Sequence, residues 1–286
     1  MAYNTGTDPT LAELITSKNI PQIFSADTIF HTMSNLVVAE SVNSTYTNQL
    51  TKGSVINLPV LSEVTDSEVT PGTVPTPVDA AGSAVSLTVN KWREASVEIS
   101  EMADIQDGAS YLSNAASSAG YRIAKRIDTD LGALFSTLAS SSVQGSDGQT
   151  LSDNIILAVM EVLDEADVPD DGTRSLIADP SARVDMLKID KFVRNDYVRN
   201  PVVATGQIGE IYNMPVKITN NLTAATTGNY GVIMHRDALG LAMQKTPRTR
   251  VIPIPQEFRT LVIVDAIYGV GEIRDTFGKA FYTRSS

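Results

Sequence analysis

The chain has 286 residues, 42% of them hydrophobic, enough for one large domain or two modest ones with a sizeable core. Twenty-two basic residues against 33 acidic ones give a net charge of -11, which opposes sequence-directed binding to nucleic acid phosphates, although a container for DNA can be acidic. There is no cysteine, so disulfides, thiolate catalysis and sulfur metal sites are excluded.

Residues 1–50 read as an N-terminal arm with little core of its own. Asp8 and Pro9 supply an N-cap and a first helical residue ahead of Leu11, Leu14 and Ile15. After the breaker at Asn19-Ile20-Pro21, Ile29, Met33, Leu36 and Val37 return to helical spacing. The start of the chain lacks the charged-then-apolar pattern of a secretion signal. No run approaches the roughly 18 apolar residues of a membrane span, so no membrane partner is expected and the cytosol is the expected compartment.

Residues 51–100 change period. Gly53 to Leu61 is rich in β-formers, and Val85, Leu87 and Val89, then Ala95, Val97 and Ile99, alternate with polar residues as strands do. Between them lies a proline-rich tip with Pro71, Pro75 and Pro77. The whole is a long two-stranded excursion. Such a ribbon is marginal in water and is expected to lie against something, in particular another copy of the chain.

Residues 101–142 hold the longest pattern. Met102, Ile105, Ala109, Leu112, Ala116, Ala119, Ile123, Ile127, Leu131, Leu134 and Leu138 recur at steps of three and four, one stripe of a helix. A single helix over Glu101–Ala139 would be about 58 Å long at 1.5 Å per residue. Gly108 offers a joint between a short first helix and a long one from Ser110. A rod of that length needs neighbours along it, and other subunits are candidates.

Residues 143–255 read as a mixed α+β domain: a polar loop, a helix over Ser152–Ala166, a strand over Ser175–Ala178, a helix opened by Asp179-Pro180, a strand over Ile211–Thr219 around Pro215, and a strand over Tyr230–Met234. Residues 256–286 return to extended patterns, two strands joined at Phe277-Gly278 and expected near the long helix.

Catalytic signatures are weak. The chain holds two histidines, His31 and His235, without ligand spacing, and no nucleophile elbow. Gly269-Val-Gly271 has Arg274 where a dinucleotide loop needs its third glycine. Carboxylate pairs such as Asp128 with Asp130 and Asp164 with Glu165 keep open a carboxylate-dependent glycoside hydrolase. Arg248, Arg250 and Arg259 form a modest basic cluster in what reads as a solvated loop. No catalytic residue, cofactor or metal site is assigned, and the chain is not expected to be an enzyme.

The order of parts, with VSLTVNKWREASVEISEMADIQDGASYLSNAASSAGYRIAKRIDTDLGALF over residues 85–135, resembles the major capsid proteins of tailed bacteriophages, which have the Hong Kong 97-like fold. RSLIADPSARVDMLKIDKF, TGQIGEIYNMPVKITNN, HRDALGLAMQK and DAIYGVGEIRD resemble the family's later segments. The resemblance implies an α+β fold with an arm at 1–50, an extended loop with its strands at 51–100, a spine helix at 101–142, an axial domain at 143–255 and peripheral strands at 256–286. It implies pentamers and hexamers in an icosahedral shell around double-stranded DNA, with a separate scaffolding protein, a portal protein and a decoration protein as partners, and with a virion location after assembly in the host cytoplasm. Shell subunits of bacterial protein nanocompartments share the fold. Asp66, Glu68, Pro71 and Pro75 at the loop tip, with Trp92 at its end, are the expected inter-subunit contacts. Some members are crosslinked through a lysine in this loop. No lysine occurs here between Lys52 and Lys91, so no such crosslink is expected.

Overall fold

A computed structural model describes residues 37–47, 50, 52–61, 66, 68, 72, 82–106, 111–139, 142–189 and 209–285. The helical turns expected around Leu11 and Ile29, and Pro71 and Pro75, lie outside these residues.

The excursion is a two-stranded antiparallel ribbon of β1 (Val55–Leu61) and β2 (Gly82–Thr88), with Val55 opposite Thr88 at its base and Leu61 opposite Gly82 at its far end. Pro59 sits within β1, where a proline is tolerated because an edge strand leaves its outer N–H positions unpaired. The next strand, β3 (Lys91–Ser100), leads into a short helix α1 (Glu101–Gln106) and then the long helix α2 (Tyr111–Gly132).

The single rod over Glu101–Ala139 is therefore corrected: helix is continuous for 22 residues in α2, about 33 Å. Gly108, the expected joint, lies outside the described residues, between the end of α1 and the start of α2. At the other end Gly132 closes the helix, with the Asn221 carbonyl oxygen 3.4 Å from where a Cβ would stand. A 3-10 turn at Phe135–Thr137 follows, and Phe135 and Leu138 still enter the core that Ile123, Ile127 and Leu131 occupy. The apolar stripe thus outlasts the helix that began it.

Against α2 lies a three-stranded antiparallel sheet in the order β3-β9-β8, made with β8 (Leu239–Ile254) and β9 (Arg259–Glu272). Alternation on β9 sends Val264, Ala266 and Tyr268 into the same core as α2. The stretch holding Arg248 and Arg250 is thus strand, not loop. Its register slips between Met243 and Lys245 and again before Arg248, so the 16-residue strand lacks a clean period.

The second sheet has five strands in the order β10-β7-β4-β6-β5: β4 (Arg174–Ala178), β5 (Glu210–Ile211), β6 (Met214–Ile218), β7 (Gly228–His235) and β10 (Gly278–Arg284). The single strand expected over Ile211–Thr219 is a hairpin. Tyr212 and Asn213, at φ 48° and 63°, turn β5 into β6. Helices α3 (Asp153–Glu165) and α4 (Pro180–Met186) cover one face. Ile156, Val159, Leu163, Ala182 and Met186 pack there with Leu176, Ile233 and Phe281. Asp179 caps α4 as expected, accepting the Ala182 N–H at 3.2 Å. The other face, through Ile177, Val232 and Met234, belongs to the core of α2. Two cores thus share the strands β4 and β7.

Both sheets cross residue 255. β8 pairs with β9 across it; of the two returning strands expected near the long helix, β9 packs on α2, and β10 pairs with β7, which shares that core.

The ribbon is held at its base. Leu87 and Val89 are buried with Ala242, against Ile56, Leu50, Tyr46 and Ile267. Gly269 makes this possible, because a Cβ there would lie 2.2 Å from the Thr88 carbonyl oxygen. The motif that resembled a dinucleotide loop is a docking seat for the chain's own ribbon.

Two substitutions should move stability in opposite directions. Gly269→Ala should lower it by about 1–3 kcal/mol by forcing the ribbon base off the sheet. Gly120→Ala, in open space within α2, should raise it by about 1 kcal/mol. Thermal unfolding of the purified chain reads both.

Candidate assembly surfaces

Of the carboxylates singled out as catalytic candidates, Asp128 and Asp130 tie segments together, and Asp164 pairs with Arg174 at 2.7 Å. Asp128 and Asp130 lie two positions apart on α2 and so point to different sides of the helix. Asp128, fully buried, accepts the Ala39 N–H at 2.9 Å and the Asn221 side-chain amide at 3.3 Å. It joins the chain preceding the ribbon and the mixed sheet to the helix. Asp130 accepts the Tyr268 hydroxyl at 2.8 Å and pairs with Lys91 at 3.0 Å and Arg126 at 3.2 Å. It joins β9 and the start of β3 to the same helix. Burial and the carboxylate acceptor push the Tyr268 hydroxyl far above its ordinary pKa. Neither oxygen pair faces a common cleft, so the arrangement does not serve glycoside hydrolysis.

A third tie lies on the sheet face away from α2. Asp265 is buried, receives a two-pronged bond from Arg248 at 2.9 and 3.0 Å, and is approached by Arg250 at 3.1 Å. The Trp92 indole N–H donates to it at 3.2 Å. The Arg248 hydrogen bonds hold the Asp265 carboxyl well below the usual carboxylate range, against the opposing effect of burial. Arg259 instead meets Glu98 at 3.0 Å and Glu257 at 3.7 Å. The basic cluster of the sequence is thus divided among acidic partners of its own chain. The signal was present in the cross-strand alternation, but the pairing spans 173 residues between Trp92 and Asp265.

His235 is structural. Its Nδ1 accepts the Asp237 N–H at 3.1 Å, its Nε2 faces Asp171 at 3.5 Å, and its ring stands edge-on to Phe277. A cleft of about 450 Å³ is lined by Asp179, Thr219, Asn220, Leu222 and Asn229. The Asp179 carboxylate is engaged there by Ala182, Ser181 and Asn229. Among the described residues no group of three acidic or histidine side chains is placed to hold a metal, and no helix is long and apolar enough to cross a membrane.

Of the expected contact residues, Asp66 and Glu68 are exposed beyond the far end of the ribbon. Trp92 is 71% exposed at the opposite end, on the sheet. Six residue steps of strand separate base from tip, about 20 Å, so these residues are not brought together within one chain. No pattern in the residues pointed to a second exposed group at the free end of the three-stranded sheet. There Met102 (69% exposed), Ile105 (85%) and Phe258 (70%) stand with Val251 and Ile252. Met102 and Ile105 belong to the stripe expected in a core, yet their own chain does not cover them. The Glu101 N–H bonds the Phe258 carbonyl at 2.9 Å, which puts α1 beside the β8–β9 turn.

The described residues thus present an exposed ribbon and an uncovered apolar end, while Asp128, Asp130 and Asp265 serve as internal ties. A sequence profile of the family described as phage capsid protein matches residues 82–252, more than half of the chain, and the chain belongs to that family. It is a major capsid protein, a structural subunit of a phage capsid. The fold is similar to a solved chain of Mycobacterium phage Che8, at 18% identity over 92% of this chain and 96% of that one, with a TM-score of 0.77. A chain in the capsid structure of the cyanophage P-SCSP1u is similar at 14% identity over 100% and 97%, TM-score 0.77. One from the mature capsid of bacteriophage PhiM1 is similar at 17% identity over 92% of each, TM-score 0.72. No curated protein matches the chain. The Hong Kong 97-like α+β fold expected from the resemblance is the fold observed.

Asp265→Asn should lower stability by about 2–4 kcal/mol, since it leaves two arginines without their carboxylate. The folded pKa of Asp265 is depressed, so its contribution is complete above the ordinary carboxylate pKa of about 4 and is lost as pH falls below that value. A plot of melting temperature against pH should therefore lose part of its acid limb in the variant; identical limbs in both proteins would remove Asp265 from this role.

Proposed function

We propose that the chain assembles as pentamers and hexamers into an icosahedral shell enclosing the double-stranded DNA of a tailed phage, with assembly in the host cytoplasm. The mechanism is shape: modest contacts repeated by closed symmetry add up to a stable lattice. The observation that carries this reading is the ribbon. Along β1 and the outer part of β2 most residues are exposed or half-exposed, while the buried contacts gather at the base. A two-stranded ribbon without a second layer is marginal, and a neighbouring copy is the layer at hand. In this proposal Asp66, Glu68, Pro71 and Pro75 at the tip, and Trp92 on the receiving sheet, make inter-subunit contacts. The uncovered tip at Met102, Ile105 and Phe258 is covered by other copies in the same way.

The remaining assignments follow that plan. The arm over 1–50 reaches across subunits, 51–100 is the extended loop, and 101–142 carries the spine. Residues 143–255 form an axial domain at capsomer centres, and 256–286 return to the periphery. A separate scaffolding protein, a portal protein and a decoration protein complete the set of partners. No covalent crosslink joins the copies through this loop, which offers no lysine between Lys52 and Lys91.

Replacing residues 62–81 by a two-residue turn between Leu61 and Gly82 should leave a folded chain that no longer forms closed shells. Electron microscopy, with circular dichroism for the fold, reads the outcome, and normal shells from the shortened chain would contradict the proposal. Mature particles boiled in denaturant should run at the 30.6 kDa monomer position, whereas a covalent ladder would refute the absence of crosslinks.

A further inference from the structure

We propose that the outward face of α2 is a cationic strip that contacts the phosphates of the enclosed double-stranded DNA through Arg122, Lys125 and Arg126, with Arg93 beside them. This rests on the shell reading and adds to it which side of the subunit faces the DNA.

The chain as a whole carries -11, yet its charge is sorted. On α2 the acids Asp128 and Asp130 are buried and tied inward. The charged side chains that reach the surface of this helix between 114 and 132 are Arg122, Lys125 and Arg126, all cationic. Their spacing of three and four puts them on one face, away from the buried Ala119, Ile123 and Ile127. Arg126 shares Asp130 yet keeps a side chain 49% exposed. Strand β3 adds Arg93 on the α2 side of the sheet, where it reaches Tyr268, and Lys91 on that side meets Asp130. The alternate residues of β3, Glu94 and Glu98, point to the opposite side with Asp265. Cations thus gather on the α2 side, and the exposed acids of β3 lie on the other.

The surroundings favour DNA over a protein partner. No large apolar side chain is exposed between residues 114 and 132, and Ser118, Thr129 and Ala133 flank the cations. A protein docking on a helix seeks apolar anchors, whereas a phosphate backbone needs cations on an accessible face and carries no sequence demand. The competing occupant is the loop of a second copy, whose Glu63, Asp66, Glu68 and Asp79 have no lysine or arginine among them.

The test is acylation of amines in DNA-filled particles and in the same particles emptied of DNA, read at Lys125 by mass spectrometry. Modification of Lys125 several-fold higher after emptying is the expected result. Equal modification in both overturns the proposal, and so does protection in both, the mark of a second copy's loop covering the helix. In parallel, the unassembled full chain is titrated with a short labelled DNA duplex at rising salt. Arg122→Gln with Lys125→Gln should flatten the plot of log affinity against log salt by about 1.8, two phosphate contacts at about 0.9 each. An unchanged slope also overturns the strip. If the wild-type chain forms no particles, the shell reading fails by itself, and the titration still decides the strip.

Discussion

The packing of α2 against the β3-β9-β8 sheet is the contact on which the rest of the subunit depends. Its apolar stripe supplies the main core, and its two buried acids fix what surrounds it. Asp128 holds the segment before the ribbon and the mixed sheet, and Asp130 holds the two strands that frame the ribbon's base. An unpaired buried carboxylate is costly, so each acid specifies one arrangement of its partners. Beside them the ribbon's base is seated by the close approach of Thr88 to Gly269, three residues before the Lys91 that Asp130 pairs.

That ordering ends where the ribbon leaves the sheet. The molecule has a firm centre, in which two cores share β4 and β7, and projections with little apolar support of their own. The uncovered Met102, Ile105 and Phe258 have the same character: apolar area prepared by the sequence and left open by the chain. For a monomer such features are an aggregation hazard; in the proposed shell they would be the surfaces that other copies cover.

Much of this was legible in the residues. The three-and-four stripe located α2, alternation located β2 and β3, and the Asp179-Pro180 pair located the start of α4. The end of α2 was not legible, because Phe135 and Leu138 continue the apolar rhythm through a tighter turn. β8 was hidden by Pro247, Pro253 and two register slips that break its period. The partner of β10 depends on long-range pairing that no local pattern encodes. At the contact surfaces, composition pointed to the loop tip, but the Asp265 cluster and the open apolar end required the sheet to bring distant segments together. Met102 and Ile105 looked like core because periodicity reports a face and not what covers it.

In the proposed shell the projecting ribbon is supported by other copies of the same chain. Amide hydrogen exchange over residues 55–61 and 82–86 tests this most directly, measured in the unassembled chain and in closed particles. Rapid exchange in the unassembled chain and strong protection in the particle are the expected results. Equal, strong protection in both would mean that the ribbon is self-supporting, and would contradict its support by other copies.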